Sequence, residues 1–203
     1  MAFDHNDHYH RLLLRHLPAH GRTALDVGCG TGRFARRLVA RGYRVDALDP
    51  DPATLAAAEA MGGGPRYRLA DASRADLPAA HYDVISCLAS LHHMPFTTLT
   101  RLRAALAPGG RLLVLGCHAG VTAWDVAAVP ANAVARLAVY GAERARGLPA
   151  APPRAPVREP RMTLPEVREQ AARLLPGSEV RQLLYWRYLL TYVAPKYPAA
   201  MAS

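Results

Sequence analysis

The run Leu25-Asp26-Val27-Gly28-Cys29-Gly30-Thr31-Gly32 constrains this chain more than any other segment. Three alternating glycines directly after an apolar strand make a turn in which no Cβ stands in the way. A bulky ligand can then lie against bare backbone at the mouth of the following helix. A second apolar run closes on Asp49, 49 − 28 = 21 positions beyond the first glycine, where a carboxylate suits ribose hydroxyls. The spacing excludes the dinucleotide fingerprint G-x-G-x-x-G. Position 33 is Arg33, and the third glycine stands one place early at Gly32. Asp26, two residues before the first glycine, has no part in that fingerprint either.

Strand-like and helix-like segments alternate around this motif. Residues 8–17 read as a short amphipathic helix and 23–28 as a buried strand. Thr31 is placed to cap a helix bearing Phe34, Leu38 and Val39, with Gly42 as its stop. A second strand over 43–49 leads to a helix opening at Pro52, with Asp51 as its cap and Gly62-Gly63-Gly64 closing it. Strands follow at 66–70 and 83–87, then a helix over 96–106 stopped by Pro108-Gly109-Gly110, and a strand over 111–116. This alternation predicts a parallel sheet with right-handed crossovers. Beyond it, 118–146 reads as helical and 148–160, with prolines at 149, 152, 153, 156 and 160, as an extended connector. Thr163 before Pro165-Glu166 opens a helix to Leu175, ended by Pro176-Gly177, and 180–193 reads as two strands turning near Trp186-Arg187.

Composition narrows the class. A chain of 203 residues, 51% hydrophobic, holds one α/β domain with a full core. The net charge of +9 invites a nucleic-acid partner. Lys196 is the only lysine, however, and the arginines are scattered rather than massed, which fits a codon bias better than a phosphate-binding surface. Cys29, Cys87 and Cys117 are odd in number and lack metal-ligand spacing, so small buried thiols are expected, with neither disulfide nor metal. His5, His8 and His10 show no convergence on a metal. No leader pattern opens the chain, and no apolar run reaches the roughly 18 residues of a membrane span. A cytoplasmic location is the expectation.

The ordered set of Asp26 to Gly32, Asp49, Leu69-Ala70-Asp71-Ala72, Tyr82 to Cys87, Leu91-His92-His93-Met94 and Leu106 to Val114 resembles the class I S-adenosylmethionine-dependent methyltransferases. The resemblance covers roughly residues 20 to 116 in order and spacing. It implies a doubly wound, mostly parallel seven-stranded sheet of Rossmann-like type, with an antiparallel edge strand and helices on both faces. One domain over 1–203 is expected: a cap helix in 1–20, a cofactor core in 21–116, a substrate-pocket insertion in 117–160, and a final helix with two edge strands in 161–203. The resemblance also implies roles. Gly28, Cys29, Gly30, Thr31 and Gly32 would meet the amino-acid part and ribose of S-adenosylmethionine, and Asp26 would order that loop. Asp49 would accept both ribose hydroxyls, with Pro50 near the adenine. Asp71 would accept from the adenine amino group, or make only an Asx-type turn, and the backbone of Ala72 would read the neighbouring ring nitrogen.

Leu88 and Ala89 sit past the fourth strand, where the open end of a parallel sheet presents backbone to a ligand. His92 or His93 would take a proton from the acceptor, or would only shape the site. Tyr9 would touch the cofactor from an N-terminal helix. Trp124, Tyr140 and the stretch to Pro160 are candidates for an acceptor pocket, or for plain packing. The implied reaction moves a methyl group to an oxygen, nitrogen or carbon of a small molecule and releases S-adenosylhomocysteine. A nucleic-acid methylase and a non-catalytic binding protein are the alternatives. The first lacks an Asn/Asp-Pro-Pro-Tyr/Phe motif, since that place reads Ser86-Cys87-Leu88-Ala89.

Overall fold

The computed structural model describes residues 5–120, 159–184 and 186–196. Helix α1 (His5–Arg15) precedes β1 (Thr23–Val27), α2 (Arg33–Val39), β2 (Arg44–Asp49), α3 (Pro52–Ala60) and β3 (Arg66–Leu69). Strand β4 (Tyr82–Leu88) leads through a short 3₁₀ turn, Leu91–His93, to α4 (Thr98–Ala105) and β5 (Leu106–Cys117). Helix α5 (Leu164–Leu174), β6 (Glu179–Leu183) and β7 (Arg187–Val193) complete the described chain. The seven strands form one sheet in the order β3-β2-β1-β4-β5-β7-β6. All pairs from β3 to β5 are parallel, and β7 runs antiparallel to both β5 and β6. The antiparallel strand thus lies one place in from the edge, and β6 forms the edge itself.

Strand alternation sorts side chains onto two faces. Leu25, Ile85, Leu112 and Val114 pack with Leu99 and Leu102 of α4 and Leu164 and Val167 of α5. Ala24, Val84, Leu113 and Leu115 pack instead with Leu13 of α1 and Phe34 and Leu38 of α2. Helices therefore cover both faces. No helix among the described residues is long and apolar enough to cross a membrane.

Local signals with local partners hold. Asp51 caps α3, its Oδ2 accepting from the Thr54 amide at 2.8 Å. Thr163 and Glu166 form a reciprocal capping box on α5, with the Thr163 amide donating to Glu166 Oε2 at 2.7 Å.

Four expectations need correction. Thr31 does not cap α2: Gly32 holds the cap position with φ 72, so the chain enters the helix from a left-handed turn with no side-chain cap bond. Pro108-Gly109-Gly110 is not a stop between helix and strand. Leu106 already pairs with Tyr82, a bulge between Tyr82 and Val84 absorbs the proline and glycines, and the Ala194 amide bonds to the Gly110 carbonyl. His118 does not open a helix; residues 118–119 continue extended, the Ala119 amide donating to the Met162 carbonyl at 2.7 Å. Only Cys87 is fully buried, while Cys29 and Cys117 are partly exposed. The rest of the helix expected over 118–146, the connector up to 158, Trp124 and Tyr140 lie outside the described residues.

Candidate functional site

Strand order reverses between β1 and β4, and the loops leaving their carboxyl ends meet there. In parallel sheets this is where ligands bind. The three glycines of the first loop all have positive φ, 63, 56 and 72 for Gly28, Gly30 and Gly32, but each is glycine for its own reason. A Cβ on Gly28 would stand 2.3 Å from Ser90 Cβ, and one on Gly32 would stand 2.1 Å from the Tyr67 hydroxyl. A Cβ on Gly30 would meet nothing within 4 Å. The bare backbone expected along the whole motif is therefore confined to Gly30. Gly28 closely approaches Ser90 in the loop after β4, and Gly32 closely approaches Tyr67 of β3.

Two aspartates frame this loop, and both are bonded to it or to the strands beside it. Asp49, 8% exposed at the end of β2, accepts from the Gly30 amide through Oδ2 at 2.8 Å and from the Asp51 amide through Oδ1 at 3.0 Å. The ordering role expected of Asp26 thus has a contributor in Asp49. Asp26 is buried beneath the loop, accepts from Ser86 Oγ at 2.7 Å and also from the backbone of Ala35 in α2. Burial pushes its pKa up to about 6, against the opposing pull of those two bonds. A carboxyl whose folded pKa lies above its unfolded value favours the fold below the unfolded pKa. That advantage is lost as pH rises through the folded one. Stability attributable to Asp26 therefore falls between about pH 4 and pH 6 by about 2–3 kcal/mol. Asp26→Asn flattens the decline by that amount in urea unfolding across pH 4 to 7; parallel curves for the two proteins would contradict it.

Ser90 joins the two loops. Its hydroxyl donates to the Val27 carbonyl at 2.7 Å, directly before Gly28, and lies 3.1 Å from Cys87 Sγ. Ala89 beside it has φ 52, a left-handed conformation that alanine adopts only at a cost, and its amide bonds to the Leu115 carbonyl. Sequence reading missed both Ser90 and Tyr67. The one signal for Ser90 was a serine four places after Ser86 at the end of an apolar strand; Tyr67 had none.

Asp71 makes the Asx-type turn, Oδ1 accepting from the amide and hydroxyl of Ser73, each at 2.8 Å, which leaves Oδ2 unbonded. Those bonds hold its pKa below the ordinary carboxylate value. Ala72 is buried behind it, Leu88 and Ala89 are half-buried at the strand end, and Pro50 is exposed beyond Asp49. The Thr31 carbonyl accepts from Arg36 Nη1 at 2.9 Å, and the same nitrogen donates to the Tyr67 hydroxyl. Cys29 is fastened by its amide to the Leu48 carbonyl at 2.9 Å. Tyr9 lies in the core, 6% exposed, with its hydroxyl donating to the Leu184 carbonyl at 3.0 Å. That bond holds α1 to the β6–β7 hairpin.

Directly after Ser90 the chain turns along a cavity of about 770 Å³. Leu91, His92, His93, Met94 and Phe96 form one side, with Cys117 and Tyr188 of the sheet also on its wall. The two imidazoles lie 4.1 Å apart between ring centres. His92 is half-buried, its Nδ1 enclosed without a partner, so Nε2 is the accessible nitrogen. Burial, then the charges of His93 and Arg187, lower its pKa to about 4, so the ring is neutral near pH 7.

An opening at Gly30, a carboxylate at Asp49 and a left-handed strand exit at Ala89 fit an adenosyl ligand, and this strand order with a glycine loop after β1 defines the methyltransferase fold. Comparison with known proteins agrees. The family profile "Methyltransferase domain" matches residues 25–114. An uncharacterized methyltransferase of Mycobacterium tuberculosis is 37% identical over 202 residues, covering 94% of this chain and 96% of that one. The ubiquinone biosynthesis O-methyltransferase of Sodalis glossinidius is 31% identical over 128 residues, 60% of this chain and 51% of its own. The crystal structure of an S-adenosylmethionine-dependent methyltransferase from Mesorhizobium loti superposes with a TM-score of 0.63 at 20% identity, over 90% of this chain and 96% of that one. The chain belongs to the class I S-adenosylmethionine-dependent methyltransferase family. It is a methyltransferase whose cofactor is S-adenosylmethionine.

Proposed function

We propose that this enzyme, a single domain, methylates a hydroxyl oxygen of a small molecule held in the cavity beside His92. The observation that carries the reading is position: Ser90 bonds to the strand end at Val27, and the very next residue, Leu91, stands on the cavity wall. The glycine loop and the acceptor space are thus one residue apart. The likeness to a relative named as an O-methyltransferase supports oxygen as the acceptor atom.

On this reading the bound cofactor supplies a methyl group on a sulfonium, and the chain supplies position and a base. The loop from Gly28 to Gly32, with Cys29 and Thr31, receives the amino-acid part, and Asp49 accepts ribose hydroxyls while keeping its hold on Gly30. Asp71 offers its unbonded Oδ2 to the adenine amino group, with Ala72, Pro50, Leu88 and Ala89 around the ring. Asp26 supports this loop from below. His92 Nε2 would accept the proton of an acceptor hydroxyl held in the cavity, leaving the oxygen free to take the methyl group that the cofactor would supply. Water exclusion by Leu91, Met94 and Phe96 and in-line alignment do the remaining work.

Titration with S-adenosylhomocysteine, followed by transfer of radiolabelled methyl to small molecules of a cell extract, tests the function; absence of binding at millimolar ligand overturns it. His92→Ala lowers kcat by about 10²- to 10⁴-fold with S-adenosylhomocysteine affinity unchanged. The acid limb of kcat/KM for the unaltered enzyme falls through about pH 4. A limb centred near pH 6.5, the ordinary imidazole value, excludes His92 as the base.

A further inference from the structure

Two arginines at the cavity form no ion pair with a carboxylate among the described residues. Arg161 stands exposed on its wall. Arg187 opens β7 and pairs in register with Cys117, a wall residue, and its Nη1 lies 2.6 Å from Cys117 Sγ. Arg187 Nε is buried without a partner. A guanidinium has five donor hydrogens, and a thiol is a weak acceptor, so the bond to Cys117 leaves most of that capacity unused. Arg187 reaches the cavity's edge through its contact with Cys117, and its charge, after burial and His93, is among the causes that lower the pKa of His92. The one acid on the wall, Glu159, is exposed and forms no ion pair with either arginine among the described residues. An unpaired, half-buried cation is a poor element of a purely structural wall.

We infer that the acceptor carries a carboxylate, received by Arg187 and Arg161, with its apolar body against Leu91, Met94, Phe96 and Met162. The inference rests on the proposed small-molecule reading and deepens it. The planar guanidinium fork matches a carboxylate in two parallel bonds. A singly charged carboxylate also loses its water at an apolar wall more easily than a phosphate dianion does. Arg187 and Arg161 are thereby specificity-determining residues, distinct from the base at His92.

The test is isothermal titration of benzoate and benzamide, equal in shape and different in charge, into the full chain saturated with S-adenosylhomocysteine. Benzoate binds at least tenfold more tightly than benzamide. The preference falls below twofold in Arg187→Met, persists in part in Arg187→Lys, and is reduced in Arg161→Met, whose exposed position keeps it foldable. Equal affinity for the two probes, no binding of benzoate, or an undiminished preference in both methionine variants overturns the inference. Saturation by S-adenosylhomocysteine in the same samples separates the two readings. If the cofactor product binds and benzoate does not, only the carboxylate falls; if the product itself does not bind, the proposed function falls and takes this inference with it.

Discussion

Asp49→Ala weakens S-adenosylhomocysteine binding by about 100- to 1000-fold, the largest loss expected of any single side-chain truncation in the site. The expectation combines the hydrogen bonds the carboxylate makes in the structure with the proposed ribose contact. The carboxylate already holds the Gly30 amide and the Asp51 amide, and each hydrogen bond to an ionised acceptor contributes about 1.5–3 kcal/mol. Two such bonds would sum to about 3–6 kcal/mol; because the Gly30 and Asp51 amides already share the carboxylate, the loss falls at the lower end, about 3–4 kcal/mol, which is the stated range. Asp49→Asn keeps an oxygen for Gly30 and forfeits the charge, so its loss is smaller. Calorimetric titration on variants with unchanged circular dichroism measures both. A change under tenfold in Asp49→Ala removes the ribose contact from the site.

Gly28→Ala destabilises the fold by about 2–4 kcal/mol, from the left-handed backbone and from overpacking against Ser90. The added methyl would sit 2.3 Å from Ser90 Cβ at a φ of 63. Ser90→Gly in the same chain removes the obstructing atom, so the double variant recovers part of the loss, less the bond from Ser90 to the Val27 carbonyl. Gly30→Ala, which faces empty space, loses only the backbone component of about 1–2 kcal/mol yet places a methyl where the ligand belongs. Urea unfolding of the three variants separates the effects. Equal destabilisation by Gly28→Ala and Gly30→Ala would contradict the division of labour among the glycines.

How much was legible follows from how far each determinant reaches along the chain. The cap at Asp51 and the helix start at Thr163 act over three residues and stand as read, the latter reinforced by a capping box with Glu166. The alternation of strands and helices and the family motifs are carried by apolar runs and the residues at their ends, which a single sequence displays. Thr31 failed as a cap because the glycine after it took the left-handed cap position, a choice that depends on Tyr67 packing against Gly32. Pro108-Gly109-Gly110 reads as a turn by composition, yet pairing with Tyr82 on one side and Ala194 on the other carries the strand through it. Arg187 beside Cys117 is a cross-strand neighbour, and no spacing within either strand announces it. The acid after β2 was legible as a site residue; its bond to Gly30 was not, because that depends on the loop's folded path.

The bond from Tyr9 to Leu184 has a bearing on biosynthesis. Helix α1 leaves the ribosome before the sheet it packs on, and its seat includes Leu189 of β7 and Leu183 of β6. At 5–20 residues per second, the intervening chain takes on the order of 10–30 s to emerge. Through that interval Leu13 has no completed surface to join, so α1 docks fully only after β6 and β7 have emerged, and the nascent chain carries an apolar face that a holding chaperone would recognise.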